Sequence, residues 1–398
     1  MGRHLSLNLL VRVLVPATLV AGIAFFAVRL DGHAALGRDP AFSVLAGAAF
    51  GVLLQRSRFC FFCILRELFE ERDARGALGI LAALAVGSLG YLVVMQPWVP
   101  DPSAGRLPPD AHIGPVSWVL AAGGLSFGLG MTLSGSCISA HLYRLGEGST
   151  LAPFALLGAV GGFVLGFVSW NWLYVGTLAT APVVWLPAAL GYGGAAALQA
   201  GLLLGMALLL LLRVRWPTTP LAAATAPGPA ELLHRVFVAR WPAWLGGVGI
   251  GTLGFLAYLR TEPLGVTAEL GSRARTLAEG LGWIPGRLPG LDGFAGCATV
   301  VIEALMTPNG VFVFALVAGS LAAGVASGSF RPRAHSLRRY LAATLGGALM
   351  GWGAMVALGC TVGVLLSGIS AFALSGWVFG AAVTAGVFIS LPVRRLLG

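Results

Sequence analysis

Five cysteines, Cys60, Cys63, Cys137, Cys297 and Cys360, are the residues of this 398-residue chain best suited to chemistry. Four of them follow Gly-rich apolar stretches: Gly51 to Cys60, Gly128 to Cys137, Gly293 to Cys297 and Gly351 to Cys360. Cys60 and Cys137 fall in one half of the chain, Cys297 and Cys360 in the other. A lone cysteine in an apolar helix packs as a small hydrophobe. Recurrence beside glycine, where the backbone can break and turn tightly, argues for more than packing. Such a pattern is expected where broken helices from two related halves meet near the middle of a bilayer. Their N-terminal ends favour anions there.

Cys63 stands apart. Cys60-Phe-Phe-Cys63 has the C-x-x-C form, and residues three apart share a helix face. A membrane thiol–disulfide oxidoreductase is the reading this opens. It requires a second exchanging pair, and no other two cysteines are close in sequence. Cys63 is therefore read as a packing residue. His141, four residues after Cys137, lacks the clustered spacing of a zinc site, so neither a metal nor a cofactor is expected.

The elements that position these residues are apolar. The chain is 57% hydrophobic and 10% charged, with 58 glycines, whereas a soluble domain carries about 25% charged residues. The surface must face lipid, and the fold class is an all-α polytopic membrane protein. Apolar runs predict about ten crossings, near 9–29, 41–55, 76–98, 117–134, 151–172, 190–212, 242–259, 309–328, 337–358 and 375–393. Apolar segments at 59–65, 136–143, 174–186, 293–306 and 361–372 are too short to span and predict re-entrant or broken helices. The first run, preceded by Arg3 and Arg12, is long and lacks a small-x-small cleavage site, so it reads as a retained helix rather than a signal peptide.

Every one of the 25 basic residues is arginine, and the net charge is +10. They lie in short loops with no basic face, which excludes nucleic-acid binding as the reading. With the N-terminus inside, 18 of them collect on the cytoplasmic side; that bias places both termini in the cytoplasm. The Pro- and Ala-rich stretch 213–241 reads as a cytoplasmic linker. It separates a first repeat, 41–212, from a second, 242–398, with 1–40 an additional helix and connector. Residues 261–292 read as a long external loop of mixed charge.

At the cysteine elements the sequence resembles the YeeE/YedE family of sulfur-compound transporters. The likeness is carried by Gln55-Arg-Ser-Arg-Phe-Cys60, by Gly128-Leu-Gly-Met through Cys137 to Leu142-Tyr-Arg-Leu-Gly-Glu-Gly148, and by Ala357-Leu-Gly-Cys360-Thr-Val-Gly363 with Ser367-Gly368 and Ser375-Gly-Trp-Val-Phe379. The resemblance implies two inverted pseudo-repeats and short helices dipping in from both sides. It implies import of thiosulfate across a bacterial inner membrane, without enzyme chemistry, along a central path. Cys60, Cys137 and Cys360 look like its relay residues, and Cys297 holds the remaining repeat position. A small cytoplasmic TusA-like sulfur-carrier protein is the partner it implies, besides the lipid bilayer. Ser136 and Ala140 stand where the family usually has glycine, and Ala295-Gly-Cys297-Ala-Thr-Val300 is more degenerate. Another sulfur or selenium compound, or another small solute, is thereby left open as substrate.

Thiosulfate is a dianion with a soft terminal sulfur. A thiol in apolar surroundings keeps its proton and offers a weak S–H donor. A row of weak sites lets an ion pass because each binds loosely enough to release. Arg58 and Arg144 would supply charge near the cytoplasmic mouth. Glu147 would pair with Arg144, and Glu303, an ionisable residue after Cys297, would couple proton movement.

Overall fold

The computed structural model describes residues 2–31, 39–213, 228–291, 299–302, 304 and 306–397. Helix α1 spans Gly2–Leu30 and α2 spans Pro40–Ser57. Pro40 stands in the first turn of α2, where its missing N–H leaves nothing unsatisfied, and Asp39 caps it by accepting from the Phe42 amide at 3.0 Å. Helix α3, Phe61–Arg66, runs into a π-helical turn at Glu67–Glu71. Then follow α4 (Arg75–Trp98), α5 (Trp118–Ser134), α6 (Ile138–Gly146), α7 (Leu151–Gly176) and α8 (Leu186–Arg213). The second half brings α9 (Pro229–Phe237), α10 (Ala243–Arg260), α11 (Thr267–Gly280), α12 (Pro308–Ala326) and α13 (Leu337–Val356). A π-helix at Thr361–Gly368 and α14 (Leu374–Leu397) complete it.

All ten stretches read as crossings are helical. Among the described residues, eight helices are by length and composition apolar enough to cross a membrane, or nine if α13 and the π-helix, bent by 43°, form one span. Helix α10 falls outside that set because five glycines and Arg260 dilute the apolar content of its 18 residues. Helices α1 and α8 bury little of themselves in the protein. Exposed leucines such as Leu204, Leu208 and Leu212 on α8 instead present the kind of surface that lipid covers.

Three stretches differ from expectation. The segment 174–186 holds no broken helix. Helix α7 continues through Gly176, and after one 3₁₀ turn at Leu178–Thr180 the chain is extended, with Val183 opposite Pro115 and Trp185 opposite Ala373. The loop 261–292 contains α11, which mixed charge conceals in sequence but whose Arg273 pairs with Glu269 one turn away at 2.7 Å. The linker 213–241 contains α9, with Pro229 in its first turn and an Arg235–Glu231 pair at 2.6 Å. The segment 293–306 lies largely outside the described residues.

The long helices pack in exchangeable pairs. Helix α2 packs on α12 and α4 on α10; α5 packs on α14 and α7 on α13; α5 and α13 also pack on each other. If α2, α4, α5 and α7 are matched to α10, α12, α13 and α14, every one of these pairs maps onto another or onto itself. Glycine makes the close approaches. A Cβ at Gly130 would lie 2.5 Å from the Gly346 carbonyl oxygen, and one at Gly346 would lie 2.6 Å from that of Gly130. Small residues at such crossings let transmembrane backbones touch.

The two chain ends lie on one side. The Arg12 guanidinium packs at Gly328, and that of Arg394 sits 5.0 Å over the Phe62 ring. On the other side the 99–117 loop folds inward. Ala111, His112 and Ile113 are buried, the Tyr258 hydroxyl donates to Pro109 O at 2.8 Å, and Trp185 Nε1 donates to Ala371 O at 3.0 Å.

Candidate functional site

Cys60, Cys137 and Cys360 occupy one structural position three times over. Each is the residue immediately before a short helix: α3, α6 and the π-helix. Each has extended backbone, and each carbonyl accepts the first helical hydrogen bond, from Ile64, His141 and Val364 at 2.9, 2.9 and 2.8 Å. Two residues ahead of each cysteine the chain turns through a positive φ: Arg58 at 51°, Gly135 at 81° and Leu358 at 59°. Only Gly135 meets that conformation without cost. A non-Gly residue held there marks strain of about 1–3 kcal/mol that the surrounding fold must impose.

The breaks bring the thiols together. Cys60, Cys137 and Cys360 are at most 1% exposed. The Cys60 sulfur lies beside those of both Cys137 and Cys63. Cys360 is near enough to Cys137 to interact with it electrostatically. All four are free thiols. Polar side chains beside them are buried with no hydrogen-bond partner among the described residues: Ser139, both ring nitrogens of His141, and Thr361. Buried polar atoms are nearly always partnered, and these three residues stand beside the cysteines.

A cavity of about 730 Å³ opens on the side of the chain ends and reaches Cys63. Six arginines line it, Arg58, Arg66, Arg144, Arg240, Arg331 and Arg333, against two carboxylates, Glu67 and Glu147. Arg144 lies at the Cys63 end. Its Nη2 donates to Cys63 Sγ at 3.1 Å and its Nη1 to Gly135 O at 3.3 Å, so one guanidinium holds α3 to the turn before Cys137. Among the described residues no carboxylate is within ion-pair distance of it. Glu147 takes its hydrogen bond from Gln55 Nε2 at 3.0 Å, not from Arg144. Burial pushes its carboxyl above the ordinary carboxylate range, with Gln55 and Arg144 opposing. Its backbone oxygen accepts from the Arg331 amide at 3.0 Å, which ties the α6–α7 turn to the α12–α13 loop.

Cys60, Cys137 and Cys360 thus lie near one another in the interior, and Arg58, Arg144 and Glu147 line the cavity. Cys297 and Glu303 lie outside the described residues. Among those described, no three His, Cys, Asp or Glu side chains gather as a metal site. Cys63 was read from sequence as packing. Its signal was present in the i, i+3 relation to Cys60, but its neighbour Arg144 is 81 positions away. The loop arginines of the cavity come from three distant parts of the chain and share no local pattern.

A family described as sulphur transport matches residues 56–389. The chain belongs to that family. The match takes in every cysteine of the chain. The thiosulfate transporter TsuA of Escherichia coli (strain K12) is 28% identical over 355 residues, which cover 84% of this chain and 89% of that protein. The thiosulfate transporter TsuA of Spirochaeta thermophila is 27% identical over 348 residues, 84% of this chain and 93% of its own length. The family and these relatives are transporters, so the oxidoreductase reading of Cys60-x-x-Cys63 gives way.

Proposed function

We propose that this protein imports thiosulfate, or a closely related sulfur-containing anion, across the bacterial inner membrane along Cys60, Cys137 and Cys360. The observation that carries the reading is that Cys60 and Cys137 lie side by side with Cys360 nearby, each buried at the start of a short helix. Neutral thiols give a soft terminal sulfur weak, exchangeable partners. The starts of α6 and the π-helix add the positive end of a helix dipole, and Arg58 and Arg144 add formal charge at the mouth.

The cavity side is read as cytoplasmic, with both termini, because most of the arginines gather there. The exchange of helix pairs supports an inverted two-fold relation between 41–212 and 242–398, with Cys297 in the fourth equivalent position and Glu303 available for proton coupling. A TusA-like sulfur carrier would receive the product at the cavity. The test is growth of a bacterial strain unable to import thiosulfate or sulfate, on thiosulfate as sole sulfur source. Wild type is expected to restore growth and Cys137→Ala is not, at equal membrane levels by blot. No growth from well-inserted wild type would overturn the thiosulfate reading and turn the assay to other sulfur and selenium compounds.

A further inference from the structure

We propose that Cys63 and Arg144 form a holding station for the sulfur oxyanion between the buried thiols and the arginine-lined cavity. The inference rests on the transport reading above but assigns a site to residues outside the three-cysteine line.

Three observations carry it. Cys63 is the one thiol among those described that lines the cavity, and it lies beside Cys60 of the interior series. An anion leaving Cys60 for the cavity has Cys63 as its next sulfur. Second, Arg144 already directs a guanidinium N–H at the Cys63 sulfur, while no described carboxylate is within ion-pair distance of it and Glu147 acts on it only from further away. A charge set back from solvent with no counter-ion in contact is expensive unless an anion completes it. Third, the surrounding cavity carries six guanidinium groups against two carboxylates, a field that draws anions to this wall.

The station has two unlike halves. Guanidinium is planar and presents paired N–H groups that match two oxygens of a sulfonate. The thiol is a weak S–H donor and a poor partner for hard oxygen. A ligand with a sulfonate-like end and a terminal sulfur satisfies both halves. Sulfate satisfies only the first. The ligand class is therefore a sulfur-terminated oxyanion, and the chemical distinction from sulfate is made at this exit as well as in the interior.

The experiment uses the full chain in proteoliposomes and a charged maleimide, with alkylated cysteines located by peptide mass spectrometry. Cys63 faces the cavity and is expected to react, while Cys60, Cys137 and Cys360 are buried and are not. Thiosulfate at about ten times its dissociation constant is expected to slow Cys63 alkylation about tenfold. Sulfate at the same concentration is expected to leave the rate nearly unchanged, and Arg144→Gln to remove the protection without preventing alkylation. Thiosulfate uptake is measured in the same vesicles. Uptake with no protection of Cys63 overturns the station and leaves the transport reading standing. Protection without uptake keeps the station and removes the transport reading. Equal protection by sulfate overturns the sulfur-specific half of the proposal.

Discussion

Arg144 Nη2 and Cys63 Sγ are 3.1 Å apart, bridging 81 positions of sequence at the inner end of the cavity. A hydrogen bond from a charged group contributes about 1.5–3 kcal/mol, so its loss is a measurable kinetic event. Arg144→Gln is expected to lower the initial rate of thiosulfate uptake about tenfold, which is the low end of that range. Arg144→Lys should recover only part of the rate, because an ammonium keeps the charge but not the planar fork. Radiolabelled uptake into proteoliposomes, normalised to inserted protein, checks both. Full activity in Arg144→Gln would show that the guanidinium only braces the turn at Gly135.

The interior thiols should separate function from stability. Cys137 is 1% exposed and lies beside Cys60. Cys137→Ala removes one sulfur from a packed interior, with a destabilisation of about 1 kcal/mol, ordinary for a point change. Uptake, however, is expected to fall below detection, because Cys137 stands between Cys60 and Cys360 in the series Cys63, Cys60, Cys137, Cys360. Thermal unfolding in detergent beside vesicle uptake reads the two effects. A variant that transports normally would remove the thiol path.

The crossing of α5 and α13 should be intolerant of any side chain. A Cβ at Gly130 would meet the Gly346 carbonyl at 2.5 Å and main-chain N of Met350 at 2.8 Å. Backbone cannot yield as a flexible side chain does, so Gly130→Val is expected to cost about 1–3 kcal/mol or more and to lower membrane yield. Gly22 on α1 has nothing within 4 Å of such a Cβ. Gly22→Val should be close to neutral, so comparing the two melting temperatures isolates the packing effect.

What sequence could reveal follows from what is local. Ten apolar runs gave ten helices because hydrophobic length is a property of contiguous residues. The breaks at Cys60, Cys137 and Cys360 were legible as short apolar segments beside glycine. The turns themselves were less so: Arg58 and Leu358 take positive φ where sequence offers no glycine at that position. Helix α11 was hidden because Glu269, Arg273 and Arg275 give it a charged composition while the fold buries Glu269 and Arg275. The arginine-lined cavity was illegible altogether. Arg58, Arg144, Arg240 and Arg333 are brought together only by the packing of α2, α6, α10 and the α12–α13 loop.

His112 should give the protein an acid limit unrelated to transport. Its ring is 1% exposed, Nε2 donates to Leu358 O at 2.7 Å, and Nδ1 has no hydrogen-bond partner among the described residues. Burial is the larger influence and lowers its pKa from the usual histidine value, with the Leu358 carbonyl opposing. The folded state therefore binds fewer protons than the unfolded chain between the folded value and about 6.5. Stability is fully present above about pH 6.5 and is lost as pH falls through the folded value, with a slope of at most about 1.4 kcal/mol per pH unit from this one group. His112→Gln keeps a donor for the Leu358 carbonyl and cannot take up the proton, so it is expected to flatten the dependence of melting temperature on pH between 7 and 5. Because Leu358 is the positive-φ residue two positions before Cys360, protonation of His112 would also disturb the turn that presents that thiol. An unchanged acid slope in His112→Gln would assign the sensitivity to other groups.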